Sequence, residues 1–196
     1  MSKEQYKLTL NFKTAFLIIL ALAIYRILPH PWNLAPIGAI ALFGGASFKN
    51  NMYVFFIPLL ALLASDLYLN NFVYNQSFGN QFVLFYRGAF FDYFAFICII
   101  FLGKFIANKI NPLNITLSAI FGAILFFVVS NFGVWVSTNM YPHTISGLVA
   151  CYLAGLPFIA NTIIGDVFFS TLLFGLFAKK YVVKKSFANA QVVNIH

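Results

Sequence analysis

Residues 115–137 read ITLSAIFGAILFFVVSNFGVWVS, twenty-three residues without a charge. A helix rises about 1.5 Å per residue, so this stretch reaches about 34 Å, enough to cross a hydrocarbon core of about 30 Å. Five further apolar stretches flank it, at 14–28, 35–48, 52–69, 82–103 and 158–178. The expectation is an all-α polytopic membrane bundle of six transmembrane helices, forming one transmembrane domain over residues 1–196. The stretch 35–48 reaches only about 21 Å. It must extend into its flanks, thin the bilayer or be shielded by protein. Residues 145–156 are mildly apolar and too short to span, which predicts a short interfacial or re-entrant helix between helices five and six. No internal repeat and no second domain is visible. Ala21-Leu22-Ala23 has the look of a small-residue cleavage site, but the apolar run before it is short, so the first segment reads as an uncleaved helix.

Composition agrees. Hydrophobic residues make up 62% of the chain and charged residues 8%, against about 25% charged in a soluble domain. The net charge of +8 could suggest nucleic acid, but the basic residues sit at the ends of apolar runs. Membrane topology accounts for them, and no nucleic-acid partner is expected. With the N terminus inside, the cytoplasmic ends gather Lys3, Lys7, Lys13, Lys49, Lys104, Lys109, Lys179, Lys180, Lys184 and Lys185, ten of the twelve basic residues. Both termini are therefore expected in the cytoplasm. The predicted location is the inner membrane of a bacterial cell.

Charges within spanning helices are costly and need a reason. There are five: Arg26, Asp66, Arg87, Asp92 and Asp166. Counted from the helix ends, Arg26, Asp66 and Arg87 fall within about two turns of the outer surface, Asn131 and Asp166 slightly deeper, and Asp92 near the midplane. Arg87 is expected to pair with Asp66, either locking helices three and four or lining an outward cavity. Asn131 and Trp135 share a helix face four residues apart and suit a flat polar ligand, or else a helix–helix hydrogen bond and an interfacial ring. Trp32, Tyr68, Tyr141 and Tyr152 also fall near the outer surface, where aromatic side chains form belts. The outer connections contain His30-Pro31-Trp32-Asn33 and Asn139-Met140-Tyr141-Pro142-His143-Thr144, without metal-ligand spacing, so no metal site is expected.

Motifs for a zinc protease, a nucleophile elbow, a P-loop and a redox CxxC are missing from the sequence, so no catalytic residue and no cofactor is expected. Cys98 and Cys151 read as small buried hydrophobes.

The stretch from Leu28-Pro29-His30-Pro31-Trp32-Asn33-Leu34-Ala35-Pro36-Ile37-Gly38 to Gly44-Gly45-Ala46 resembles an uncharacterised family of bacterial membrane transport proteins. So do Leu63-Ala64-Ser65-Asp66, Ser130-Asn131-Phe132-Gly133-Val134-Trp135, Tyr141-Pro142-His143-Thr144 and Cys151-Tyr152. More distantly, the layout resembles the substrate-binding S component of energy-coupling-factor vitamin transporters. That resemblance implies six helices, a ligand cavity near the outer face and toppling in the membrane to release the ligand inside. It also implies an energy-coupling module as partner. Such components often carry A-x-x-x-A on the first helix, whereas here Ala35 and Ala39 carry that spacing on the second. Some solitary relatives use a cysteine near a cobalamin ligand, though nothing in this sequence aligns Cys151 with that role.

The expected function is uptake of a vitamin-like or other small molecule from outside. The expected substrate-binding residues are Trp32, Asn33, Asp66, Arg87, Asp92, Asn131, Trp135, Tyr141, His143, Tyr152, Asn161 and Asp166. Two alternatives are a membrane enzyme acting on a lipid or isoprenoid, which would need Asp92 and Asp166 within reach of each other, and an assembly subunit whose polar residues are all paired between helices.

Overall fold

Asparagine and threonine begin most of the helices. In the computed structural model, which describes residues 3–8, 11–29, 31, 33–48, 50–107 and 109–183, α1 (Phe12–Ile27) is capped by Asn11 and α3 (Asn51–Tyr68) by Asn50. Helix α5 (Pro112–Ser137) is capped by Asn111, with proline at its first position, and α6 (Ile145–Phe177) by Thr144. Each side-chain oxygen accepts from a backbone N–H of the first turn that would otherwise lack a partner. Helices α2 (Ile37–Ser47) and α4 (Ala89–Ile106) start without a cap of their own, after Pro36 and Gly88. After α3 the chain continues through a π-helical turn, Leu69–Val73, and a 3-10 turn, Asn75–Phe78.

The helices alternate in direction. Phe12 meets Tyr53 at the starts of α1 and α3 while Arg26 meets Asp66 near their ends, so these two run parallel. Phe55 meets Phe101, and Tyr93 meets Asp66, so α4 runs against α3. Phe91 packs on Gly133 and Ile99 on Gly122, so α5 returns against α4. Tyr152 bonds Val128 and Cys151 bonds Asn131, so α5 and α6 form a hairpin. Helix α2 runs with α6, through Gly38 on Asp166 and Phe43 on Phe174.

The shortest helix is the centre of the bundle. Residues 38–45 of α2 are all buried, and α1, α3, α4, α5 and α6 all touch it. Of the three ways to accommodate so short a segment, shielding by protein is the one adopted. Its glycines and alanines permit this. A Cβ on Gly45 would lie 2.1 Å from the Ile100 carbonyl oxygen, and one on Gly103 of α4 would lie 2.2 Å from the Leu42 carbonyl oxygen. Small residues at a crossing let backbones approach and gain packing where lipid supplies no hydrophobic drive. Ala35 and Ala39, the A-x-x-x-A pair, are buried inside this centre.

Large apolar side chains face outward along the other helices, including Leu17, Phe56, Phe105, Phe121, Phe168 and Leu176. Among the described residues, four helical stretches are long and apolar enough to cross a membrane: Met52–Val73, Ala89–Ile106, Pro112–Ser137 and Ile145–Phe177. An exterior of this kind is that of a membrane protein.

Two expectations need correction. Helix α4 does not begin at residue 82. The Asn71 amide holds the backbone of Val83, accepting from its N–H at 2.8 Å and donating to its carbonyl at 2.9 Å, and Gly88 takes φ +91. Both keep 82–88 out of the helix, so Asp92 lies in the first turn of α4 rather than near a midplane. The expected separate helix at 145–156 does not exist either. Helix α6 runs unbroken for 33 residues, through Pro157, over about 50 Å. One missing N–H interrupts a single bond, and the turns on either side carry the helix across it. Flanking the all-helical bundle, β1 (Lys3–Leu8) pairs antiparallel with β2 (Ala178–Val183), bringing the two ends of the bundle's chain to one side.

Candidate functional site

At the end of the bundle opposite the strand pair, α1, α3 and α4 bring a polar cluster together. The Arg26 guanidinium meets the Asp66 carboxylate at 2.6 Å and also donates to the Ser65 hydroxyl. Asp66 accepts a second bond from the Tyr93 hydroxyl at 3.0 Å. The Tyr86 hydroxyl donates to Asp92. Asp66 is buried and Arg26 largely so, which makes this a desolvated pair of the kind whose disruption is costly. The partner expected for Asp66 was Arg87. The structure gives Arg26 instead, because α1 and α3 run parallel and end at the same level, whereas Arg87 lies in the exposed turn before α4.

Asp166 stands apart. It is buried on α6, and its carboxylate accepts from the backbone N–H of Ala39 at 3.2 Å. It thus caps α2 from another helix, supplying what Pro36 cannot. A Cβ on Gly38 would lie 2.2 Å from a carboxylate oxygen of Asp166, so glycine at 38 makes room for the cap. Asp166→Ala is expected to lower stability by about 1–2 kcal/mol, and Asp166→Asn by less, since the amide oxygen can still accept. Denaturation in mixed micelles checks the order of the two variants. Asp92 and Asp166, which the enzyme alternative needs together, belong to separate constellations, one at the start of α4 and one at the start of α2.

The α5–α6 turn holds several of the other expected residues. The Trp135 indole donates to the Pro142 carbonyl at 2.9 Å and packs edge-on against His143, which itself bonds the Thr138 carbonyl at 3.1 Å. The Asn131 amide donates to the Phe127 carbonyl of its own helix at 2.8 Å. Its oxygen lies 2.6 Å from where a Cβ on Gly155 would be, so Gly155 allows α6 to close on it. Tyr141 is half-buried in the turn, Asn161 is half-buried on α6, and Asn33 is exposed with φ 59. Trp32 lies outside the described residues.

Between α4 and α5 lies a cavity of about 380 Å³, lined by Phe90, Phe91, Phe94, Val128, Val129, Phe132 and by Tyr152 of α6. It is almost wholly apolar and open to the side. Phe91 and Phe132 form its wall with rings 5.6 Å apart, and the Tyr152 hydroxyl, bonded to the Val128 carbonyl at 2.7 Å, turns its ring toward the space. Of the expected binding residues that lie among the described residues, only Tyr152 lines it. The phenylalanines stand in the sequence at helical spacing, 90 with 94, but among 26 phenylalanines that spacing has no contrast. Arg26, Tyr86 and Tyr93 also fall outside the expected set, and they complete the polar cluster on the neighbouring face of α4.

The chain belongs to a family of unknown function, DUF6580, whose profile matches residues 7–189. No curated protein and no solved structure matches it.

Proposed function

We propose that the protein is a six-span inner-membrane protein that binds a small, mainly apolar molecule in the groove between α4 and α5 and serves in its uptake. The observation that carries this reading is the cavity of about 380 Å³, which falls within the size range of small-molecule sites and is walled by aromatic rings. The alternating helix directions support six crossings. Exposed Lys13, Lys104 and Lys109 mark one end and the Arg26–Asp66 cluster the other, which supports cytoplasmic termini and a groove in the outer half. The short, enclosed α2 and the Ala-Ser-Asp sequence ending in Asp66 fit the resemblance to S components, a likeness at the level of fold.

The groove also favours this reading over that of a passive assembly subunit. The polar cluster is paired between helices, as a structural lock would be, yet beside it the aromatic wall leaves space. Val128, exposed at 46% on the groove, can be enlarged without entering the core. In Val128→Trp the new ring fills the space, and a molecule that co-purifies with the wild type is expected to be lost from the native mass spectrum. A folded Val128→Trp protein that retains the same bound mass refutes the groove as its site.

A further inference from the structure

We propose that the molecule taken by this groove is a single-tailed anionic amphiphile drawn from the surrounding leaflet, its tail lying along the wall of Phe91, Phe94 and Phe132 and its head reaching the Arg87 guanidinium. This rests on the groove reading above and names its ligand class.

Three observations converge on it. First, Arg87 is an exposed cation with no carboxylate partner among the described residues. Asp66 is taken by Arg26 and Tyr93, Asp92 by Tyr86, and Asp166 by α2. Second, the backbone beside Arg87 lies at one end of the groove. Its neighbour Gly88 lies against the backbone of Gly133, within 3.5 Å of where a Cβ on Gly88 would sit. Gly133 adjoins Phe132 in the wall, and Gly88 leads directly into Phe90 and Phe91. Third, the groove changes character along its length. Phe90, Phe94 and Val128 are exposed and apolar, whereas at the Gly88–Gly133 end Trp135 packs on Phe132 at 5.6 Å, and its indole is bonded to a backbone carbonyl. Such a tryptophan marks the level where hydrocarbon gives way to headgroups.

Size and charge then select the ligand. A volume of about 380 Å³ is near the low end for small-molecule sites and suits one chain rather than the two of a bilayer phospholipid. A guanidinium with no carboxylate partner among the described residues favours an anionic head by charge-assisted hydrogen bonds. A neutral or cationic head would leave Arg87 without that partner.

The test uses the full chain in nanodiscs of zwitterionic phosphatidylcholine, with dodecanoate, dodecyl phosphate, dodecanol and dodecylamine as probes of one tail and four heads. Binding is read from Trp135 fluorescence in a Trp32→Phe background. Dodecanoate and dodecyl phosphate are expected to bind about tenfold more tightly than dodecanol. Arg87→Gln is expected to erase that preference while leaving dodecanol binding unchanged, and Arg87→Glu to shift it toward dodecylamine. Which of the two anions binds more tightly identifies the head. If all four probes bind alike, or Arg87→Gln leaves the preference intact, the Arg87 inference is overturned; loss of the bound mass from the native mass spectrum of Val128→Trp would then show that the groove itself still stands as the site. If no probe binds the wild type at all, the inference falls together with the groove reading as applied to chain-like ligands.

Discussion

Arg26→Met is expected to destabilise the protein by about 3–5 kcal/mol, the range for removing one partner of a buried ion pair. The cost is not the loss of the attraction itself. Asp66 is 6% exposed in its side chain, and without Arg26 its charge would stay in a medium that solvates it poorly, with only Tyr93 still donating. The double variant Arg26→Met with Asp66→Leu removes both charges and is expected to recover most of the loss, because a desolvated pair contributes little beyond an apolar pair of similar volume. Unfolding titrations in mixed micelles on the four members of the cycle measure this. A single variant as stable as wild type would show that water reaches the pair.

Gly103→Ala is expected to cost about 3 kcal/mol, the upper end for overpacking. The added methyl would meet the Leu42 carbonyl oxygen at 2.2 Å and the Leu42 Cα at 3.0 Å. These are backbone atoms of the central helix and cannot rotate away. Relief requires α2 to move off α4, and α2 is held on every side. Gly45→Ala meets the Ile100 carbonyl in the same crossing and is expected to behave alike, with the double variant costing less than the sum of the two, since one displacement relieves both. By contrast, Gly79→Ala meets nothing within 4 Å and tests only the cost of a left-handed backbone, so it serves as the mild control. Thermal melting of the three single variants in one detergent ranks them.

Much of the fold is legible in the sequence. The uncharged run from Ile115 to Ser137 is a helix on any reading, and the structure extends it by only three residues, to Pro112. Where reading by hydropathy errs, local chemistry has overridden apolarity. Phe82–Tyr86 is as apolar as a helix, but Asn71 binds its backbone and Gly88 turns it, and neither contact has a signature in hydropathy. Pro157 reads as a terminator, yet a membrane helix tolerates it because the alternative, an exposed backbone in lipid, is worse.

The site is less legible for a different reason. A charge in an apolar run advertises that it has a partner without saying which. Arg26, Asp66, Asp92 and Asp166 all have one, and finding it needs the order and direction of the helices. Asp166 illustrates this well: its carboxylate answers a missing cap at Pro36, more than a hundred residues away in the chain. The groove is hidden by abundance. Phenylalanine faces lipid in many places here, and only the close approach of α4 and α5 at Gly133 marks which of these side chains enclose a space.

The most direct measurement of the central claim is a cryo-electron microscopy map of the protein extracted with its native lipids. A bound molecule is predicted as continuous density in the groove, against the rings of Phe91 and Phe132 and over Tyr152, stronger than that of the lipid around the rest of the perimeter. A groove closed by its own phenylalanine side chains, or holding density no stronger than that of the surrounding lipid, would contradict the account.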